Sequence, residues 1–246
     1  FPDDADSAIQ ALFPVGGIKV FRKKDIFAYP QNIVFIVATD VQEIIEYFKE
    51  NGNNIREQIL KFEREVLVKK SEYGVDDSLK AKIASVFGID LNIPKTYRLA
   101  KLENQNGYSF AWLRKESAEW EQALMVYTHD YNDTSDFAAE HLIAIRDSVT
   151  KMHIPATMPN SYMSSEKEFV FPYQRINVNG EYSAELRGFW TTINDYMGGP
   201  FYSLTFYHPG MAKLITVEGF LYSPKLDKTY FLRQLESIVN TARIKK

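Results

Sequence analysis

Apolar residues recur along this chain in two rhythms, and the change of rhythm near residue 95 organises it. Ile33–Ala38 (IVFIVA) is a short unbroken apolar run, the pattern of a buried strand. Thr39 opens T-x-x-Q and Asp40 opens D-x-x-E, two alternative helix caps ahead of Val41, Ile44, Ile45 and Phe48 at helical spacing. Gly52 predicts a stop. A second helix is predicted over 54–72, with Ile55, Ile59, Phe62 and Val66 as its apolar stripe. Glu57–Lys61 and Glu65–Lys69 pair along its wet face. A third, shorter helix begins at Asp76 or Asp77 and ends by Gly88. Residues 1–94 thus read as a mostly helical region with one short strand, behind an acidic, loosely held lead-in over residues 1–17.

From Tyr97 the rhythm shortens to two. Tyr97–Leu102, Tyr108–Arg114 and Gln122–His129 read as strands, followed by a helix from Ser135 to Met152. Residues 155–172, with three prolines, read as a connector. A second β run follows. Gln174–Val178 and Glu181–Ile193 flank Asn179-Gly180, and Phe201–His208 and Leu214–Tyr222 flank Pro209-Gly210. Asn-Gly is a strong two-residue hairpin signal because both residues tolerate positive φ. A last helix runs from Asp227 to Thr241.

The two β runs share an order. A shift of 90 residues lays Leu124 on Leu214 and Leu142 on Leu232. The expected fold class is therefore α+β: antiparallel hairpins with helices packed on one face, in two pseudo-repeated halves (97–154 and 174–244). Residues 95–246 form this α+β region, and the whole chain is expected to make one compact unit.

Composition narrows the chemistry. With 29 Lys+Arg against 32 Asp+Glu, the net charge is −3 and no basic stripe stands out, so nucleic acid is not an expected partner. Arg22-Lys23-Lys24 reads as a solvated turn. The chain contains no cysteine, which removes disulfides, thiol catalysis and cysteine metal sites. No apolar run reaches the roughly 18 residues of a membrane-spanning helix. Phe and Tyr number 17 and 15, which favours a large β core or an aromatic platform for a ring-shaped ligand such as a sugar.

The four histidines (His129, His141, His153, His208) form no metal-binding spacing, and no cofactor or metal is expected. Nucleophile elbows and phosphate loops are missing from the sequence, so no catalytic residue is assigned. Candidate ligand-binding residues cluster instead between 185 and 199. Strand alternation puts Tyr182, Ala184, Leu186, Gly188 and Trp190 on one face and Ser183, Glu185, Arg187, Phe189 and Thr191 on the other. Glu185 and Arg187 read either as a surface ion pair or as an Arg poised for a carboxylate or phosphate. Asn194, Asp195, Gly198 and Gly199 read either as a bend before Pro200 or as a backbone-lined pocket, with Trp190 beside it.

At these residues the chain resembles a known family. Arg187–Trp190 (RGFW), Asn194-Asp195, Met197–Phe201 (MGGPF), Glu218–Phe220 (EGF), Tyr222–Lys225 and Leu232–Glu236 (LRQLE) resemble the DUF4837 family, uncharacterised lipoproteins of Bacteroidetes-type bacteria. Ser161–Glu166 (SYMSSE), Phe110–Arg114 (FAWLR) and Tyr29-Pro30-Gln31 add to a resemblance that spans Tyr29 to Val239. The resemblance implies a cell-envelope location, periplasmic or surface-exposed, with a lipid anchor upstream of Phe1. It implies no activity. The expectation is a non-catalytic binding or assembly module for an envelope protein or a small ligand such as a glycan. The alternative is an envelope hydrolase or transferase working near Arg187 and Asp195.

Overall fold

The computed structural model describes residues 17–169, 171–178 and 180–245. The expected lead-in and the Asn179 half of the Asn-Gly turn lie outside the described residues, apart from Gly17. Contacts divide the chain into two units, the first ending at Val66 and the second beginning at Leu67. This differs from the sequence expectation of one unit that changes character near residue 95.

In the first unit, β1 (Ile18–Lys24) pairs antiparallel with β2 (Asn32–Ala38). Phe21 and Phe35 stack across the ladder with ring centroids 4.8 Å apart. β1 was not expected: its charged end, Arg22-Lys23-Lys24, hides the alternation and belongs to the strand rather than to a turn. The two predicted helices on either side of Gly52 are one helix, α1 (Val41–Ser71). Gly52 does not stop it, because a mid-helix glycine costs only about 1 kcal/mol against alanine.

The second unit is built on an eight-stranded antiparallel sheet. Its strands are β4 (Arg98–Gln105), β5 (Tyr108–Glu116), β6 (Glu121–Asp130), β7 (Tyr162–Ser165), β8 (Tyr173–Val178), β9 (Glu181–Ile193), β10 (Gly198–His208) and β11 (Lys213–Tyr222). Their order is β4-β5-β6-β11-β10-β9-β7, and β8 pairs with β9 as well. A two-stranded sheet joins β3 (Ile89–Asp90) to β12 (Arg243–Ile244). The fold is α+β, as the rhythms predict. β7 was missed because it is four residues long within a proline-rich stretch.

Three helices complete this unit: α2 (Asp77–Phe87), α3 (Ala139–His153) and α4 (Thr229–Val239). The Asp76 side chain accepts from Leu79 N at 3.0 Å and Gly88 takes φ +64°, the cap and stop expected for α2. A 3₁₀ turn (Thr134–Phe137) leads into α3. Ile83 and Phe87 of α2 and Leu235, Ile238 and Val239 of α4 pack against Leu124, Val126, Ile215 and Val217. Leu142 and Val149 of α3 pack against Phe110, Met125, Leu214 and Phe220. Helices therefore lie on both faces of the sheet, not on one.

That placement also removes the repeat. Strands β6 and β11 are antiparallel neighbours, and a two-fold relating such strands keeps each residue on its face. Leu124 lies in the core on the α2/α4 side and Leu214 in the core on the α3 side. Residues 90 apart thus occupy opposite faces, as do α3 and α4.

Candidate functional site

Glu185 and Arg187 sit on the α4 side of the sheet, with Trp190 on the α3 side, as the alternation requires. Glu185 is 2% exposed. It accepts from Tyr202 Oη at 2.9 Å, Gln174 Nε2 at 2.9 Å and Arg187 Nε at 3.0 Å. Arg187 Nη1 donates to Glu236 Oε1, and Nη2 to Glu236 Oε2 at 3.2 Å. The guanidinium lies over the Tyr202 ring at 4.5 Å. This network fastens α4 to β9 and β10.

Asn194 and Asp195 lie elsewhere. Six strand residues separate Arg187 from the end of β9, which is about 20 Å of extended chain. Asn194 takes φ +61° and its Nδ2 donates to Asn160 O at 3.3 Å; Asp195 Oδ1 accepts from Tyr196 N at 2.7 Å. The turn itself is closed by Thr192, whose N donates to Met197 O at 2.9 Å and whose Oγ1 accepts from Met197 N at 3.0 Å. Arg187 and Asp195 do not converge.

Gly198 and Gly199 open β10 rather than forming the bend. A Cβ on Gly199 would lie 1.9 Å from Leu221 O and 3.2 Å from Trp190 Nε1. The glycine lets β10 approach β11 closely, and it leaves room for Trp190 Nε1 to donate to Leu221 O at 3.2 Å. The Met-Gly-Gly-Pro block thus seats an indole.

That indole belongs to a cleft on the α3 side. One lobe, of about 260 Å³, is walled by Trp112, Trp190, Phe220 and Tyr222, by Met163 and Met197, and by Ile154–Thr157 beyond α3. Trp190 meets Phe220 edge-on at 5.8 Å. Arg114 and Glu121 stand at its rim in a bidentate pair, Nε to Oε1 and Nη2 to Oε2 both at 2.6 Å. The Arg114 guanidinium also covers Trp112 at 4.9 Å. A second lobe, of about 370 Å³, shares Trp112, Ile154 and Pro155 and extends to Lys101, Lys151, His153 and Ser161.

His153, the last residue of α3, is buried here. Its ring stacks on Phe110 at 4.1 Å, and Nδ1 lies 2.9 Å from Lys101 Nζ. An ammonium only donates, so Nδ1 accepts and the neutral ring carries its proton on Nε2. Burial, then the Lys101 charge, hold this imidazole below its ordinary range. Two buried nitrogens of cleft residues, Trp112 Nε1 and His153 Nε2, have no hydrogen-bond partner among the described residues. Such donors are costly to leave unmet.

Beneath the cleft, Arg146 of α3 meets Glu218 of β11. Both are buried, and Arg146 also donates to Ser165 Oγ at 3.1 Å and lies over Phe201 at 3.9 Å. Among the described residues no group of three His, Cys, Asp or Glu side chains is placed to hold a metal ion.

Of the expected residues, only Trp190 walls the cleft, and Gly199 seats it. Trp112, Tyr222, Lys101 and His153 were not singled out. The signal for Trp112 was present in YSFAWLR, where alternation sets Tyr108, Phe110, Trp112 and Arg114 on one face.

No curated protein shows significant similarity to the chain. A family described as domain of unknown function (DUF8532) matches residues 16–72, which include the Tyr29-Pro30-Gln31 block and correct the reach of the resemblance read from sequence. A family described as domain of unknown function (DUF4837) matches residues 76–241. That span contains the sheet, its three helices and the whole cleft, and on it the chain belongs to the DUF4837 family.

Proposed function

We propose that this chain is a non-catalytic binding module of a cell-envelope lipoprotein, and that its ligand enters the aromatic cleft beside α3. One observation carries the binding reading. Five separated blocks of sequence each place a side chain in the cleft wall: Trp112 from FAWLR, Met163 from SYMSSE, Trp190 from RGFW, Met197 from MGGPF and Phe220 from EGF. Packing alone would let these blocks serve separate parts of the core. Their meeting around a space, with Trp112 Nε1 unpartnered among the described residues, suits a ligand that offers a flat apolar face and a hydrogen-bond acceptor. A sugar ring fits that description, since its axial C–H face stacks on indole and its hydroxyls accept. The envelope location and the upstream lipid anchor are supported by the family resemblance. The alternative site loses its geometric support, because Arg187 is committed to Glu185 and Glu236 while Asp195 bonds its own turn.

The test is a titration of the chain with neutral cello-, chito- and malto-oligosaccharides, followed by tryptophan emission and by melting temperature. Trp112 and Trp190 both wall the cleft, so occupancy shifts emission, and Trp112→Leu abolishes the shift while the protein stays folded. Unchanged emission and melting across the whole panel would reject a saccharide ligand. A shift that survives Trp112→Leu would place binding elsewhere.

A further inference from the structure

The tip of the β1–β2 ribbon presents apolar side chains to solvent in a defined shape. Ile26, Phe27 and Tyr29 are 45%, 80% and 77% exposed. Their loop is not loose. Asp25 N donates to Gln31 O at 3.0 Å, Gln31 N to Asp25 Oδ1 at 2.8 Å, and Phe27 N to Gln31 Oε1 at 3.0 Å. Asp25 and Gln31 thus meet backbone donors from within the loop, and the apolar side chains are left facing outward. Exposed large apolar groups held together in this way mark an interaction surface.

The charge around the tip selects the partner. Arg22, Lys23 and Lys24 precede it and are exposed. Across the ladder from them stand Val34, Ile33 and Asn32, none of which carries a charge. The one acid of the tip, Asp25, is occupied by Gln31 N. Successive strand residues point to opposite faces, so the three cations surround the ribbon. They trail the apolar tip by roughly 5–10 Å of strand, the depth over which the headgroup layer of a bilayer gives way to acyl chains. A convex tip of Ile, Phe and Tyr above a collar of cations matches that gradient, with tyrosine at the polar boundary.

We propose that the Asp25–Gln31 tip docks on an anionic lipid surface, inserting Ile26, Phe27 and Tyr29 while Arg22, Lys23 and Lys24 contact lipid phosphates. This contact is independent of the cleft ligand and of any covalent lipid, and it lies wholly in the first unit. It would fix the ribbon against the bilayer by protein side chains.

The test uses the full chain without lipidation, sedimented with vesicles of phosphatidylcholine alone or mixed with phosphatidylglycerol. The expected result is binding to the mixed vesicles that weakens with salt, and little binding to phosphatidylcholine. A Phe27→Ser/Tyr29→Ser variant and an Arg22→Glu/Lys23→Glu/Lys24→Glu variant should each lose roughly tenfold or more of that binding. Both alter exposed side chains, and unchanged unfolding transitions confirm that they fold. Failure of the unaltered chain to bind mixed vesicles overturns the proposal. So does binding lost only in the charge variant, which would be adsorption without insertion. A tip that serves protein association would appear as self-association abolished by Phe27→Ser without vesicle binding, and this also overturns it.

Discussion

Arg146 and Glu218 face each other across the junction of α3 and β11, with Arg146 Nε 3.0 Å from both carboxylate oxygens. Their side chains are 1% and 0% exposed. Two charges so deep depend chiefly on each other, with Ser165 Oγ, the Phe201 ring and, at 3.8 Å, Asp147 Oδ1 around the guanidinium. Removing one leaves the other uncompensated, so Glu218→Ala or Arg146→Ala should cost about 3–5 kcal/mol in urea unfolding. The double change Arg146→Met/Glu218→Leu should recover most of that loss. Single variants that cost less than about 1 kcal/mol would show that water reaches the pair.

Acid should weaken the protein before its carboxylates titrate. His129 is buried, with Nε2 3.2 Å from Thr216 Oγ1. Burial, then the nearby His141 charge, push its pKa down to about 4. In the unfolded chain the same group titrates at about 6.5. Between those values the unfolded chain binds a proton that the folded chain refuses. The stability is full above pH 6.5 and falls as pH drops towards 4, by up to about 3 kcal/mol. His153, also lowered, acts in the same direction. Denaturant midpoints measured across this range should decline, and His129→Gln should flatten the decline. An equal slope in that variant would remove His129 as the cause.

Two glycines should respond in opposite senses to alanine. At Gly199 the new Cβ would meet Leu221 O at 1.9 Å, a backbone atom that cannot step aside. Gly199→Ala should cost about 3 kcal/mol or more, and it should displace Trp190. At Gly52, within α1, the nearest atom would be Phe48 Cδ1 at 3.8 Å. Gly52→Ala should stabilise the helix by about 1 kcal/mol. Thermal unfolding of the two variants against the parent reads both signs.

Arg187 and Asp195 should separate in the same way. Arg187→Ala strips Glu185 and Glu236 of their shared cation and should cost about 2 kcal/mol or more. Asp195→Ala removes one acceptor, and a carboxylate oxygen that is buried without a partner among the described residues, from a turn that Thr192 already closes, and it should stay within about 0.5 kcal/mol. Equal, large losses in both would mean that the turn is structurally tied to the sheet.

Local rules made much of this fold legible. Asp76 and Gly88 bound α2 because capping and a left-handed stop act within a few residues. Alternation in β9 placed Glu185 and Trp190 on opposite faces before any packing was known. The cleft was less legible, because its wall depends on which strands become neighbours. Nothing near Trp190 reveals that Leu221 will lie within reach of its indole, since that follows from the β10–β11 register. The glycine pair reads as a bend or as a backbone-lined pocket because sequence shows only that glycine is needed, not whether φ or close approach needs it. β1 was hidden because an edge ribbon with charged residues lacks the buried alternation of a core strand.

The pairing of β6 with β11 sets the order in which the second unit can form. Lys213 and Asp130, the nearest in sequence of the residues that pair there, are 83 positions apart. As the chain is synthesised, the β4–β5–β6 meander can assemble early, but its inner edge stays open until β11 has emerged. That edge carries Leu124 and Val126 on one face and Met125 and Tyr127 on the other. Loop closure over such a distance slows folding and leaves an unpaired apolar strand exposed meanwhile. For a nascent chain this is the window in which a chaperone has most to protect, and it closes only once residues 213–222 are available.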